Sequence, residues 1–199
     1  MGSLVFSLDL IATFAFAVVG ARIAINRNMD YAGIILIALV ASLTGGTLRN
    51  IFLGIAPSWL NKYQYFLAVI VAVIFAIAAP ARKPVGLFIL SIDTFGLAVA
   101  VVSGTQFAIE KDAPLYAAAL LGITTAVAGG LLRDVLCQVE PILLHRETIG
   151  TSSGLGALSY IALESLSIDR SISAVVGGMV VIAVRALSIK FDLHLPRAK

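Results

Sequence analysis

The chain has 199 residues, 60% of them apolar, with 14 Lys and Arg against 11 Asp and Glu and a formal net charge of +3. A mean hydropathy of +1.03 excludes a water-soluble domain of this size, and no basic run with interleaved aromatics points to nucleic acid as a partner. The lone Cys137 excludes an intrachain disulfide and a cysteine metal cluster, and reads as a small buried hydrophobe within an apolar helix.

A bilayer core about 30 Å thick takes about 20 apolar residues per helix. Apolar runs bounded by charge, Pro or Gly predict seven spans, near residues 4–22, 32–53, 64–81, 86–108, 114–137, 148–165 and 171–190. The fold class is therefore an all-α integral membrane protein in one membrane domain. The first run reads as a span rather than a signal peptide, because apolar stretches continue to the end of the chain. Span two carries Gly45-Gly46-Thr47-Leu48-Arg49-Asn50, and span three opens beside Trp59, Tyr63 and Tyr65, aromatics suited to a membrane interface. Span five carries Gly129-Gly130-Leu131-Leu132-Arg133-Asp134. Span six is the weakest, since Thr151-Ser152-Ser153-Gly154-Leu155-Gly156 suits a packed helix better than a lipid-bathed one. Span seven holds Gly177-Gly178 and ends with Arg185 and Lys190; it is expected to pack the rest or to build an oligomer interface.

Loop charge sets the expected orientation. With the N-terminus outside, Arg22, Arg27, Arg82, Lys83, Arg146, Lys190, Arg197 and Lys199 fall inside, against Lys62, Lys111 and Arg170 outside. The C-terminus is then cytoplasmic.

Residues 9–60 align without a gap on residues 93–144 at an offset of 84, with 12 of 52 pairs identical. Matched Asp9 and Asp93, Gly20 and Gly104, the two Gly-Gly pairs, Arg49 and Arg133, and Pro57 and Pro141 carry the repeat better than matched Val or Leu. Each unit holds three spans, an odd number, so the second enters the membrane from the opposite side. Repeat one covers about 4–81, repeat two about 86–165, and the extra helix about 171–190.

Paired glycine in a helix costs about 1 kcal/mol per residue relative to alanine and invites a kink. Two kinks would free carbonyls that can line a pathway and replace part of a cation's hydration shell; the alternative is that these glycines only allow close packing. An Arg inside a span needs a partner, water or a snorkelling route. Depth along the spans pairs Asp9 with Arg49 in the outer half and Asp93 with Arg133 in the inner half; the alternative is that each Arg snorkels to its own surface. Asn50 and Asp134 share a repeat position but differ in charge. Ser42, Thr44, Thr47, Thr124 and Thr125 place hydroxyls near the glycines, with bonds back to their own helices the better expectation. Lys111, His145, Arg146 and Glu147 read as solvated loop charge. Neither His145 nor His194 has a second ligand at metal spacing, and no nucleophile, phosphate loop or catalytic carboxylate pair emerges, so no transition metal, cofactor or enzyme activity is expected.

With these motifs the chain resembles the prokaryotic branch of the trimeric intracellular cation (TRIC) channel family, over essentially its whole length. The resemblance rests on seven spans, the duplicated unit, and the Gly45–Asn50 and Gly129–Asp134 motifs. It implies a homotrimer in the inner membrane, each protomer conducting K⁺ and Na⁺ through its own pore lined by kinked spans two and five. Asn50 departs from the acidic residue usual there. Arg49 and Arg133 would repel cations unless Asp9, Asp93 and Asp134 offset them; an arginine that gates or senses voltage would also account for the charge. A glycine-transporter label is used for related bacterial sequences, so a secondary transporter of a small solute is the second reading.

Overall fold

The computed structural model describes residues 2–79, 86–139 and 148–191. Among these residues the regular structure is helical: α1 (Ser3–Asn26), α2 (Tyr31–Phe52), a short 3-10 turn (Ser58–Leu60), α3 (Gln64–Ala78), α4 (Gly86–Ile109), α5 (Leu115–Leu136), α6 (Thr148–Ser165) and α7 (Arg170–Lys190). Pro141, His145, Arg146, Glu147, His194, Arg82, Lys83, Arg197 and Lys199 lie outside the described residues. By length and composition α1, α2, α4, α5 and α7 can each cross a membrane. The described part of α3 is a shorter apolar helix of 15 residues, and α6 is diluted by its Thr151–Gly156 run. The chain is a multi-pass membrane protein.

Local chemistry explains where the helices begin and end. The Asp30 carboxylate caps α2 by accepting from the Gly33 N–H at 2.8 Å, and Asp169 caps α7 by accepting from Ser171 N at 2.8 Å and Ile172 N at 3.4 Å. Besides Ser167 after α6, whose Ile168 N bonds back to Leu163 O, two pairs of helices stop at left-handed residues: Asn28 after α1 and Asp112 after α4, Gly54 after α2 and Gln138 after α5. Each stop is sealed by a bond reaching back five residues, Met29 N to Ala24 O, Ala113 N to Ala108 O, Ile55 N to Asn50 O and Val139 N to Asp134 O. The two members of each pair stand one repeat apart, so the duplication extends to the turns. α1 runs one turn beyond its expected end, to Asn26, and the Arg22 guanidinium donates to Ala76 O and Ala79 O, both at 3.2 Å, covering the end of α3.

The Asp169 carboxyl is held below the ordinary carboxylate range, first by the backbone N–H of Ser171 and then by its side chain and Ile172 N–H. Its folded pKa being depressed, the cap's contribution is present above the ordinary range of about 4 and is lost as pH falls through the lower, folded value. Asp169→Ala is expected to lower the melting temperature at neutral pH, and by progressively less in acid; a difference from the unmodified protein that stays constant with pH contradicts this.

α1 and α4 are the most buried spans and run antiparallel through the middle, with Gly2 N at the start of α1 donating to Glu110 Oε2 just past the end of α4 at 3.3 Å. α2 and α5 pack on this pair and on each other, α3 covers α1, α6 covers α4 and α5, and α7 packs on α6 and α4. The contacts obey the repeat. A Cβ on Gly20 would stand 2.9 Å from Ala41 Cβ, and one on Gly104 would stand 2.9 Å from Thr125 Cβ; Ala41 and Thr125 are themselves repeat mates. A Cβ on Gly45 would overlap the Thr125 carbonyl oxygen, and one on Gly129 the Ala41 carbonyl oxygen. The pseudo-two-fold axis therefore passes between α2 and α5, as an inverted repeat requires.

The helical assignment runs unbroken through Gly45-Gly46 in α2 and through Gly129-Gly130 in α5. Gly45 and Gly129 let the two helix backbones touch there, the close packing that stood as the alternative reading of these glycines.

Candidate functional site: two buried charge clusters

The bundle has two ends, a first end bearing Gly2 and a second bearing the α1–α2 turn. Near the first end, α1 supplies Asp9 and α2 supplies Arg49. The Arg49 guanidinium donates to both carboxylate oxygens, Nη1 to Oδ1 at 3.1 Å and Nη2 to Oδ2 at 2.9 Å, in the bidentate geometry that planar Arg favours. Arg49 is fully buried, and its guanidinium carbon lies 4.2 Å from the centre of the Phe107 ring. Asp9 also accepts from Ser103 Oγ of α4 and from Tyr65 Oη of α3 at 3.4 Å. Arg49 Nε donates to Asn50 Oδ1 at 3.1 Å, while Asn50 Nδ2 donates to Ala56 O at 3.0 Å and Ser58 Oγ at 3.1 Å. An aspartate at position 50 would set a carboxylate against the Ala56 carbonyl, which accounts locally for the amide.

Near the second end the arrangement recurs, inverted. Arg133 Nη1 donates to Asp93 Oδ1 at 3.1 Å and Arg133 Nε to Asp134 Oδ1 at 2.8 Å. Here a residue from outside the repeats joins: Arg185 Nη2 of α7 donates to Asp93 Oδ2 at 3.0 Å. Asp93, Arg133, Asp134 and Arg185 are all buried.

Counting formal charge, Asp9 balances Arg49 in the first cluster, and Asp93 with Asp134 balances Arg133 with Arg185 in the second. The acidic residue that distinguishes repeat two from repeat one is offset by the arginine of the unduplicated helix. An isolated ion costs several kcal/mol to bury, so neutrality within each cluster is what makes four buried ion-pair contacts tolerable.

Beside each cluster lies a small cavity. The first, of about 30 Å³, is bordered by Asp9, Thr13, Ser42, Gly46 and Arg49; the second, of about 20 Å³, by Asp93, Gly130, Arg133, Asp134 and Ile149. Each has room for one or two waters. Phe16, from the middle of α1, borders both. Gly46 and Gly130 thus stand at the cavities, each with its cluster's arginine as the nearest side chain, at 3.8 and 3.6 Å from a built Cβ.

The hydroxyls near the glycines turn inward on their own helices: Ser42 donates to Ala38 O, Thr44 to Val40 O, Thr47 to Leu43 O, Thr124 to Leu120 O and Thr125 to Leu121 O, at 2.6 to 2.8 Å. Thr47 Oγ1 also accepts from Trp59 Nε1 at 2.9 Å. Tyr65, expected at an interface with Trp59 and Tyr63, is instead buried against Asp9, whereas Tyr63 is exposed. Cys137 caps the end of α5 rather than lying within it, buried in the core among residues of α1, α2 and α3.

A family model described as Glycine transporter matches the chain twice, over residues 6–81 and 90–165, the second match displaced by the repeat offset at both ends. The UPF0126 inner membrane protein YadS of Escherichia coli (strain K12) is 30% identical over 198 residues, covering 97% of this chain and 95% of that protein. The UPF0126 membrane protein of Vibrio cholerae is 28% identical, covering 98% and 82%. A solved TRIC trimeric intracellular cation channel orthologue from Rhodobacter sphaeroides superposes with a TM-score of 0.91 at 32% identity, over 96% of this chain and all of that one. The chain belongs to the prokaryotic TRIC family. A second solved TRIC cation channel gives a TM-score of 0.83 at 27% identity, over 96% of each chain. The TRIC fold thus holds across the whole bundle, α7 included, and not only over the two repeats.

Proposed function

We propose that the protein is a channel for monovalent cations, K⁺ and Na⁺, with a pathway through each protomer that runs from the first cavity past Phe16 to the second. The observation that carries this is the pair of cavities, related by the pseudo-two-fold axis, each flanked by a neutral charge cluster and both bordered by the apolar side chain of Phe16. The likeness to solved TRIC cation channels over nearly the whole chain supports the same reading. In this state the path is closed. An apolar constriction gates by dewetting, and Phe16 supplies one. Neutral clusters also answer the electrostatic objection, because Arg49 and Arg133 do not confront a cation unpaired. Asp9, Asp93 and Asp134 border the path; Arg49 and Arg133 hold them, and Asn50 braces Arg49. The protein works as a homotrimer in the inner membrane with its N-terminus outside, the first end then being the outer one.

Single-channel recording of purified protein in planar bilayers with asymmetric KCl tests this. Unitary currents reversing near the K⁺ potential are expected. Phe16→Ala, which opens the wall between the cavities, is expected to raise open probability, and Arg133→Ala to alter the unitary current. The family model's description keeps a glycine transporter as the second reading. Silence at all voltages together with saturable, ion-coupled glycine uptake into vesicles from the same preparation would establish the transporter instead.

A further inference from the structure

Where α4 and α6 end and α7 begins, the bundle holds polar side chains that neither charge cluster uses. Val102, Tyr160 and Gly177 meet there, a Cβ on Gly177 standing 3.3 Å from Tyr160 Cβ and 3.4 Å from Val102 Cγ2. One helical turn nearer the first end, the same three helix faces present Gln106, Glu164 and Ser173. Tyr160 and Ser173 are fully buried and Gln106 is 3% exposed. The Tyr160 hydroxyl, Ser173 Oγ, Gln106 Oε1 and Glu164 Oε2 are all buried without a hydrogen-bond partner. Buried polar groups are as a rule satisfied, and four orphans on adjoining turns of three packed helices call for an occupant.

Charge indicates which occupant. Glu110 accepts from Gln106 Nε2 at 3.3 Å through Oε1 and from Gly2 N through Oε2. Glu164 Oε1 pairs with Arg170 Nε at 3.3 Å, an arginine whose side chain is 57% exposed. The layer thus faces two carboxylates against one guanidinium held at the surface; Lys111 lies toward the Phe107 ring, on the Arg49 side of α4. One carboxylate oxygen, one amide oxygen and two hydroxyls form a hard, oxygen-only set of low charge, suited to an alkali cation rather than to a divalent or transition metal.

We infer that Gln106, Tyr160, Glu164 and Ser173 form a binding site for one partly dehydrated monovalent cation, separate from the proposed pathway, that ties α7 to α4 and α6. The site does not depend on the channel reading, since a transporter of the same fold would hold the ion equally well. Crystals of the unmodified protein soaked in RbCl are expected to give an anomalous peak between these four side chains. In parallel, the melting temperature of the purified protein is expected to be higher in KCl than in choline chloride at equal ionic strength. That difference should shrink in Ser173→Ala and vanish in Glu164→Gln. Absence of Rb⁺ from the layer, with a melting temperature indifferent to the cation, would overturn the proposal. A K⁺ effect undiminished in both variants would overturn it too, by placing the ion elsewhere.

Discussion

Asp134→Asn and Arg185→Met are each expected to destabilise the protein severely, and the double variant to recover most of the loss. Arg185 donates to Asp93, and Asp134 accepts from Arg133, so each single change leaves one net charge in a buried cluster. Breaking a buried pair from one side costs about 3–5 kcal/mol, whereas replacing both charges with well-packed neutral groups is often close to neutral. The double variant has a precedent within the same chain. It would leave Asp93 with Arg133 alone and an asparagine beside the guanidinium Nε, which is how Asp9, Arg49 and Asn50 are arranged. Chemical unfolding in detergent, run on all four proteins, should show the double within about 2 kcal/mol of the unmodified protein, well short of the sum of the two single losses. If instead the double loses the sum of the two singles, charge balance is not what holds α7 to repeat two.

The physical origin of that cluster also marks where sequence reasoning stops. The repeat was legible because an exact 84-residue offset carried Asp, Arg and paired Gly together, and the ion pairs followed from depth along antiparallel spans. Arg185 lies outside the repeat, so no internal copy announced its role. The signal that was available is its stripe, Ser173, Gly177, Val181, Arg185 and Ser188, which are buried and face the bundle. Tyr65 is a parallel case. Beside Trp59 and Tyr63 it reads as an interfacial aromatic, yet with Val69, Ala72, Val73 and Ala76 it forms the buried stripe of α3, and periodicity outranks neighbours in such a helix. Ser103 could not be found this way, because its repeat mate is Val19 and its partner Asp9 is distant in sequence. The glycine pairs stood out in the sequence, but helix propensity alone does not say that a second backbone approaches Gly45 and Gly129 closely enough to use the space.

That last point separates the two glycines of each pair and predicts opposite outcomes for them. Gly45→Ala and Gly129→Ala are expected to cost about 1–3 kcal/mol or more each, because the added methyl meets a backbone carbonyl that helix hydrogen bonding holds in place. Their losses should also be similar, the two contacts being images of one another across the pseudo-two-fold axis. Gly46→Ala and Gly130→Ala should instead leave stability level or slightly raised: the nearest side-chain atom to the new methyl is an arginine nitrogen 3.8 or 3.6 Å away, and alanine is the better helix former by about 1 kcal/mol. What these two changes remove is space, in cavities that hold only one or two waters. The expected result is a well-folded protein with reduced unitary current, read by pairing unfolding curves with bilayer recordings of the same preparations. Normal current in Gly46→Ala and Gly130→Ala would take the pathway away from these cavities, whereas the reverse pattern, stable Gly45→Ala and unstable Gly46→Ala, would mean that the α2–α5 contact is not the one that joins the two repeats.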